Sequence, residues 1–217
     1  MRWYERSYLA SHSFDVIQKM KIVLCSLGQL LTIDHAQSLN TNFSDVFSLP
    51  ERTSTISLGV QGSIDNFDTD YLFNYDVFPS CLMKHKTEWD SHSRTIRKGD
   101  IIIQRAVIPP IGFGLCMEFA VRISNIISEN GKVGFSYETL VGHAESGLSE
   151  FYFEENEGEL YFTIHTYSEP GHWTSKFFNY FSIPYQRWCT QKALNHVKKR
   201  FHQINKTKDN KSVFTTP

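Results

Sequence analysis

The sequence predicts an α+β fold in which a curved antiparallel β-sheet packs on one long C-terminal helix, kinked at Pro184. Three observations predict it. From Leu115 to His165 apolar and polar side chains alternate, which is the pattern of strands with one buried face. The turn sequences Glu129-Asn130-Gly131 and Asn156-Glu157-Gly158 join consecutive strands. Near the C-terminus apolar residues recur every three or four positions, as in an amphipathic helix.

The composition is that of a globular protein. Of the 217 residues, 41% are hydrophobic and 21% are charged, which excludes disordered and fibrous classes. The aromatic fraction of 14% is typical of aromatic-rich strands. The formal net charge is −1, so no global positive field attracts nucleic acid, and we expect no nucleic-acid partner.

The N-terminal part is predicted to be a helical extension followed by a loop. Phe14, Ile17, Leu24 and Leu31 fall near helical spacing. The stretch from Ser38 to Gly62 is rich in Ser, Thr and Asn, which suits an irregular connection. We therefore expect the chain to divide into three parts: an extension at residues 1–62, the main α+β domain at 63–205 and a polar tail at 206–217.

An alternative for the first part is a secretory signal that begins at Met20. The apolar run Ile22–Leu27 resembles the core of such a signal. However, a polar segment precedes this run and Gln29 interrupts its continuation. We therefore favour the helical extension.

The main domain is interpreted as a series of strands. The first is Tyr71–Val77, where aromatic and polar residues alternate. The second is Asp100–Ile108, an apolar run that ends at Pro109-Pro110, because proline cannot continue a ladder. Alternation then predicts strands at 115–124, 133–140, 150–154 and 160–165. Consecutive strands joined by tight turns predict an antiparallel meander with one apolar face.

The last element is predicted to be a helix with an apolar stripe. The stripe consists of Trp173, Phe177, Phe181, Tyr185, Trp188, Leu194, Val197 and Phe201. Proline removes a backbone donor, so we expect a kink, or two abutting helices, near Ser182. The economical assembly packs this stripe on the apolar face of the sheet.

A family resemblance rests on the run from Gly134 to Gly147. It reads G-F-S-Y-E-T-L-V-G-H-A-E-S-G and resembles the signature, roughly G-F-x-Y-G-T-L-x-G-H-x-E-x-G-E-E-x-F, of a domain-of-unknown-function family of bacteria and plants. Pro184, Gln186 and Arg187 resemble later positions of that family. The resemblance covers roughly residues 71–201.

The chain departs from the signature of this family at two places. Glu138 stands where the family usually has Gly, and Leu148-Ser149 stands where it usually has paired Glu. The family is similar to the helix-grip superfamily, which includes START and pollen-allergen-like domains. That similarity implies a curved sheet around a long helix, with an apolar cavity that binds a hydrophobic small molecule or lipid.

The polar loop Gly142–Gly147 is the best candidate for chemistry. Its glycines permit close approach of a ligand, and His143 and Glu145 are able to place an imidazole beside a carboxylate. The same two residues also suit a tight turn in which they hydrogen-bond the loop. A metal site of His143, His165 and His172 lacks the spacing of a known ligand motif, so we predict neither a metal nor another cofactor.

We expect the ligand to lie between the sheet and the helix, where its apolar part is desolvated and a few polar groups fix its orientation. The residues predicted to bind it are Tyr137, His143, Glu145, Trp173, Phe177, Phe181, Tyr185, Arg187 and Trp188. Two alternatives stay open. One is a hydrolase- or isomerase-like enzyme in which His143 and Glu145 perform acid–base chemistry. The other is a protein-interaction module whose N-terminal extension docks on a partner of unknown identity.

Cysteine usage and hydropathy predict a cytoplasmic protein. Cys25, Cys81, Cys116 and Cys189 are widely spaced and form no C-x-x-C pair, which disfavours a zinc site or a disulfide scaffold. We therefore expect a reducing compartment. No stretch is apolar for long enough to span a bilayer, so we expect no integral membrane segment.

Basic residues cluster at the C-terminal end of the predicted helix. They are Lys198, Lys199, Arg200, Lys206, Lys208 and Lys211. Cations are favoured near a helix C-terminus, so this is interpreted as a solvated helix end. The alternative is a segment that binds phosphate or a membrane.

Overall fold

The computed structural model describes residues 22–23, 32–108, 115–129, 131–170 and 179–213. The strands are β1 (Ile22–Val23), β2 (Glu51–Gln61), β3 (Met83–Thr87), β4 (Ile101–Ile108), β5 (Leu115–Glu129), β6 (Lys132–Thr139), β7 (Glu145–Asn156) and β8 (Glu159–Pro170). The helices are α1 (Ile33–Gln37), α2 (Glu88–Ser91) and α3 (Asn179–Val213).

The strands form one antiparallel sheet. Its order is β2-β8-β7-β6-β5-β4-β3, and β1 pairs with β5 off this path. From β3 to β8, strands that follow one another in sequence are neighbours in the sheet, which is a meander. The predicted meander on a long C-terminal helix is therefore confirmed, and with it the helix-grip-like fold.

The core lies between the inner face of the curved sheet and the second half of α3. Phe135, Phe151, Phe153, Phe162 and Ile164 share this face with other apolar residues of the sheet. Ala193, Leu194, Val197 and Phe201 of the helix belong to the same buried cluster. The predicted apolar stripe is thus confirmed for Leu194, Val197 and Phe201.

Polar contacts hold α3 against the segment before β3 and against β2. The hydroxyl of Tyr71 donates to the backbone carbonyl of Val197 over 3.1 Å. The ammonium of Lys198 donates to the backbone carbonyl of Ser57 over 2.7 Å. These contacts fix the second half of the helix against the sheet.

A second, smaller apolar cluster covers part of the outer face of the sheet, on β4 and β5. Ala36 of α1 packs with Ile101, Ile103 and Leu140, all of which are buried. The guanidinium of Arg122 donates over 2.6 Å to the backbone carbonyl of Leu39. The segment before β2 is therefore part of the folded unit.

The structure corrects the assignment of the segment before residue 62. Residues 51–61, predicted as a loop, form β2, which pairs with β8 along most of its length. The burial pattern explains the error, because Leu58 is the single fully buried position of this edge strand. Thr and Ser suit a strand that exposes most of its side chains, so their abundance misled the prediction. A domain boundary at residue 62 would place this strand outside the sheet to which it belongs.

Two further assignments are wrong. Tyr71–Val77, predicted as a strand, contains a 3-10 turn at Asp70–Asn74 that ends at Tyr75 in the left-handed region, with φ 59°. Tyr71, Leu72 and Tyr75 are buried, and this spacing matches a helical turn. Ile22–Val23, predicted as helix, forms strand β1. The rest of the predicted N-terminal helix and of the signal-like run lies outside the described residues.

The C-terminal helix is continuous from Asn179 to Val213 and contains Pro184. The alternative of two abutting helices is therefore wrong. The helix also continues into the predicted polar tail. Across the part of the chain described here, no helix is long and apolar enough to cross a bilayer.

Candidate functional site

The inner face of the sheet changes from apolar to polar along β7 and β8. Successive inner pairs of the two strands are Phe153 with Phe162, Phe151 with Ile164, Ser149 with Thr166, and Gly147 with Ser168. Side chains on one face of a strand recur every second residue, so these pairs follow one another across one face. Large apolar side chains are thus replaced by small polar ones toward the loop Gly142–Gly147.

The neighbouring strands continue this polar end. Tyr137 of β6 lies opposite Ser149, and Arg52 of β2 lies opposite Thr166. On β6 an apolar side chain returns two residues from Tyr137, at Phe135. On β2 it returns four residues after Arg52, at Ile56. The polar end therefore spans the inner face from β6 to β2.

A buried hydrogen-bond network crosses the polar end. The side-chain amide of Gln104, which is 1% exposed, donates to the hydroxyl of Tyr75 over 2.6 Å. The hydroxyl of Tyr137 lies near Gln104, Tyr75 and Ser149, whose polar groups lower its pKa against the larger effect of burial. Burial raises the pKa of Tyr137 to about 12, so its hydroxyl stays protonated at neutral pH. The network presents neutral donors and acceptors on an otherwise apolar surface.

Glu145 lies where the polar end meets the first half of α3. It lies four residues before Ser149 in β7, and side chains an even number of residues apart in a strand share a face, so Glu145 points to the inner face. Burial raises the pKa of its carboxyl, while hydrogen bonds from Ser168 and Gln186 and the charge of Arg52 oppose that rise. Gln186 belongs to α3, so this carboxyl connects sheet and helix. A desolvated carboxyl with a raised pKa is able to donate or to accept a hydrogen bond.

His143 has a different environment. Its ring centroid lies 4.8 Å from that of Phe119, and burial lowers its pKa to about 4, so the imidazole is neutral. Its Nδ1 lies 3.0 Å from the backbone nitrogen of Glu145. A backbone N–H is always a donor, so Nδ1 accepts and the ring proton resides on Nε2. Among the described hydrogen bonds, the imidazole contacts the backbone of Glu145 and not its carboxylate.

Asn42 holds the loop in place. Its side-chain amide donates to the backbone carbonyl of Glu145 over 2.9 Å, and its side-chain oxygen accepts from the hydroxyl of Thr139 over 2.6 Å. Its backbone carbonyl accepts from the hydroxyl of Ser146 over 2.9 Å. Sequence reasoning missed Asn42, because its pairing with a loop about 100 residues away leaves no local signal.

Residues 67–196 match the family described as Domain of unknown function (DUF1990). The protein belongs to the DUF1990 family. This match confirms the family resemblance that rests on the run from Gly134 to Gly147. No curated protein matches this chain.

Several solved structures are similar to this DUF1990 protein. The major latex-like protein 151 of Panax ginseng is 8% identical, with a TM-score of 0.44 over 70% of this chain and 97% of that one. Norcoclaurine synthase of Thalictrum flavum is 13% identical, with a TM-score of 0.41 over 80% of this chain and 97% of that one. The KanY protein is 8% identical, with a TM-score of 0.44 over 71% of this chain and 98% of that one.

Two of the three signature glycines of this DUF1990 chain are explained by close packing. A Cβ on Gly134 would overlap the carbonyl oxygen of Phe151, and a Cβ on Gly147 would overlap that of Tyr167. Any larger residue would separate β6 from β7, or β7 from β8. The signature therefore contains packing positions as well as the polar loop.

The structure brings together part of the predicted site. Tyr137 and Glu145 both belong to the inner face, and the charge of Glu145 contributes to the raised pKa of Tyr137. Tyr185 is half-buried and its ring lies 5.9 Å from that of Trp188. Trp188 is 40% exposed and Arg187 is exposed. Trp173, Phe177 and the side chain of Phe181 lie outside the described residues, so their role stays a prediction.

Of the three histidines for which no metal site is predicted, the structure describes His143 and His165. His165 lies on the outer face, with Nδ1 3.1 Å from Glu150 and Nε2 2.8 Å from Glu51. His172 lies outside the described residues. Among the residues that the structure describes, no group of three or more His, Cys, Asp or Glu is arranged to hold a metal ion.

Proposed function

We propose that this protein binds a hydrophobic small molecule or lipid between the inner face of the sheet and the first half of α3. The polar group of the ligand lies at the polar end, near Tyr137, Glu145 and Arg52. The observation that carries the proposal is the change from Phe153 and Phe151 to Ser149 and Gly147 along one face of β7.

Side-chain size supports a ligand space at this end. The second half of α3 packs on the phenylalanines of β7 and β8 through Leu194, Val197 and Phe201. The first half of the helix reaches the polar end at Gln186, which interacts with Glu145. There the side chains of Ser149 and Gly147 fill less of the layer above the sheet than the phenylalanines do. A ligand placed there gains contact with the apolar cluster and leaves its polar group among hydrogen-bonding residues.

The polar residues suit a ligand with one hydroxyl, carbonyl or carboxyl group. The protonated hydroxyl of Tyr137 is a donor, and Arg52 supplies a positive charge. The carboxyl of Glu145 is able to act as a donor when protonated. An apolar molecule without such a group would gain no hydrogen bond or charge pairing from these residues, so they favour a ligand that carries a polar group.

Native mass spectrometry of protein purified from cells tests for a bound ligand, and binding of a fluorescent fatty acid provides a quantitative probe. The Ser149→Phe substitution places a large side chain in the proposed space, so we expect it to abolish binding of the probe. Ser149→Val is the milder variant if the first fails to fold. Tyr137→Phe removes one donor and is expected to weaken binding about 3- to 10-fold.

The matched control is Tyr161→Phe on the outer face, where the hydroxyl of Tyr161 donates to Glu159. It is expected to leave probe binding unchanged. Full binding by a folded Ser149 variant would overturn the proposal, as would equal losses in Tyr137→Phe and Tyr161→Phe.

One observation favours a second candidate, the hydrolase- or isomerase-like enzyme. The raised pKa of Glu145 suits a general acid in a desolvated site. His143 suits this chemistry less well, because its Nδ1 is bound to the backbone of Glu145. If a co-purified ligand is converted on incubation, Glu145→Gln should abolish conversion while His143→Gln reduces it less. Unchanged conversion in Glu145→Gln would exclude this role.

A further inference from the structure

On the exposed side of α3, a tryptophan is followed along one face of the helix by lysines that recur every seven residues. We name this set of residues the outer row; its members are Trp188, Lys192, Asn195, Lys199, His202 and Lys206. They follow one another at intervals of four, three, four, three and four residues, which places them on one face of a helix. All six are exposed, whereas Leu194, Val197 and Phe201 on the opposite face are buried.

The charge of this helix differs in sign from that of the rest of the chain. Between Asn179 and Lys208 the sequence contains seven Lys and Arg residues and no Asp or Glu. The rest of the chain therefore carries 15 basic residues and all 23 acidic residues. A protein of net charge −1 thus presents a helix of formal charge +7 on an acidic body.

The lysines of the outer row are not used within the fold. Arg200 pairs with Asp76, and Lys198 donates to the backbone of Ser57, on the flanks of the helix. Lys192, Lys199 and Lys206 form no ion pair with another described residue. Lys192 lies 5.6 Å from the ring centroid of Trp188. Their charges are therefore available to a partner.

We propose that the outer row docks this protein on the surface of an anionic lipid bilayer. The lysines recur every seven residues, about 10 Å apart, and the row from Trp188 to Lys206 is about 27 Å long. A straight row of this length lies flat on a planar negative surface, which attracts each basic residue near it. An exposed tryptophan favours the membrane–water interface, because its ring is amphipathic.

The composition of the row favours a bilayer over a nucleic acid. Its cations are all lysines, which act as point charges, whereas nucleic-acid recognition favours the planar fork of arginine. Trp188 stands at one end of the row, where it reaches the interface without interrupting the charges. The rest of the chain, with 15 basic and 23 acidic residues, is repelled by the same surface, which favours an orientation with α3 toward the bilayer. This proposal does not depend on a ligand at the inner face.

Vesicle flotation tests the proposal with the full-length chain. Vesicles of phosphatidylcholine alone are compared with vesicles that also contain phosphatidylserine, at low and at high salt. We expect binding only to the anionic vesicles, and loss of that binding at high salt. Replacing Lys192, Lys199 and Lys206 together by Gln is expected to weaken it about 100-fold. Trp188→Ala is expected to weaken it further.

The matched control replaces three exposed lysines outside α3, Lys84, Lys86 and Lys98, by Gln. This variant has the same net charge as the outer-row variant, so it should retain wild-type binding. Circular dichroism and the thermal midpoint establish that both variants are folded. Equal losses in both triple variants, no binding of wild type to anionic vesicles, or binding to RNA oligonucleotides instead of vesicles would each overturn the proposal.

Discussion

Asp76 and Arg200 form an ion pair in which the carboxylate Oδ2 lies 2.6 Å from the guanidinium Nε. The other carboxylate oxygen lies 2.8 Å from Nε2 of His196. Asp76 belongs to the segment before β3, whereas its two partners belong to α3. The group therefore connects the helix to the edge of the fold that carries Tyr71 and Tyr75.

We predict that this contact stabilises the fold at neutral pH and loses its effect in acid. The hydrogen bond from His196 and the charge of Arg200 lower the pKa of Asp76 below its ordinary 3.8, against the effect of burial. A lowered folded-state pKa stabilises the protein above the unfolded pKa, and this stabilisation disappears as the pH falls through the folded pKa. Asp76→Asn should cost about 1 kcal/mol at pH 7, since the pair is partly exposed.

Urea unfolding at a series of pH values measures this effect. The difference in free energy of unfolding between wild type and Asp76→Asn should shrink as the pH falls below 3.8. Asp65→Asn serves as the control, because Asp65 is exposed. A difference that stays constant with pH would show that the charge of Asp76 is not responsible.

Phe201 is expected to be the most sensitive position of the helix. It is 1% exposed, and its ring centroid lies 5.3 Å from that of Phe67 and 5.9 Å from that of Phe153. Phe201→Ala should lower the free energy of unfolding by about 3–5 kcal/mol, because it leaves a cavity between helix and sheet. Phe47→Ala removes the same atoms from a residue that is 82% exposed, and it should cost under about 0.5 kcal/mol. Similar losses in the two variants would contradict this packing.

Gly134 is predicted to tolerate no side chain. A Cβ there would overlap the carbonyl oxygen of Phe151 and the Cα of Tyr152, so Gly134→Ala must separate β6 from β7. The control is Gly158→Ala, where φ is +78° but no atom lies within contact distance. That control should cost about 1–2 kcal/mol from backbone conformation alone. We expect a larger loss for Gly134→Ala by chemical denaturation; an equal or smaller loss would show that β7 adapts.

The main architecture could be predicted because its signals are local. Alternation along β5 to β8, the turn at Asn156-Glu157-Gly158 and the stripe at Leu194, Val197 and Phe201 each lie within a short window of sequence. β2 was missed because its partner strand β8 is about 100 residues away and its exposed side chains are polar. Tyr71–Val77 was misassigned because buried aromatic residues of a short turn imitate alternation.

The candidate site was predictable only in part, for a related reason. The signature run identified Tyr137, His143 and Glu145, and strand parity places Tyr137 and Glu145 on one face. The residues that surround them, Gln104, Asn42 and Arg52, come from distant parts of the chain and carry no motif. The contact of His143 with the backbone of Glu145, rather than with its carboxylate, depends on loop geometry that residue types do not determine.

The last prediction concerns Asn42 and the loop that it holds. Its side chain bonds with both the backbone of Glu145 and the hydroxyl of Thr139, so Asn42→Ala removes one hydrogen bond from each of these two partly buried groups. We expect a loss of about 1–3 kcal/mol in local stability, and faster hydrogen exchange at residues 141–147 than in the strands of the core.

If Glu145 orients a ligand, the same variant should also weaken binding of the fatty-acid probe, although Asn42 itself does not belong to the inner face. Asn66→Ala is the matched control, because Asn66 is an exposed residue of a 3-10 turn elsewhere. If hydrogen exchange at residues 141–147 were the same in Asn42→Ala as in wild type, Gly147 and Thr139 alone would determine the conformation of this loop. Faster exchange with unchanged probe binding would show that the loop takes no part in ligand binding. Tyr137 and Arg52 would then be the groups that orient the ligand.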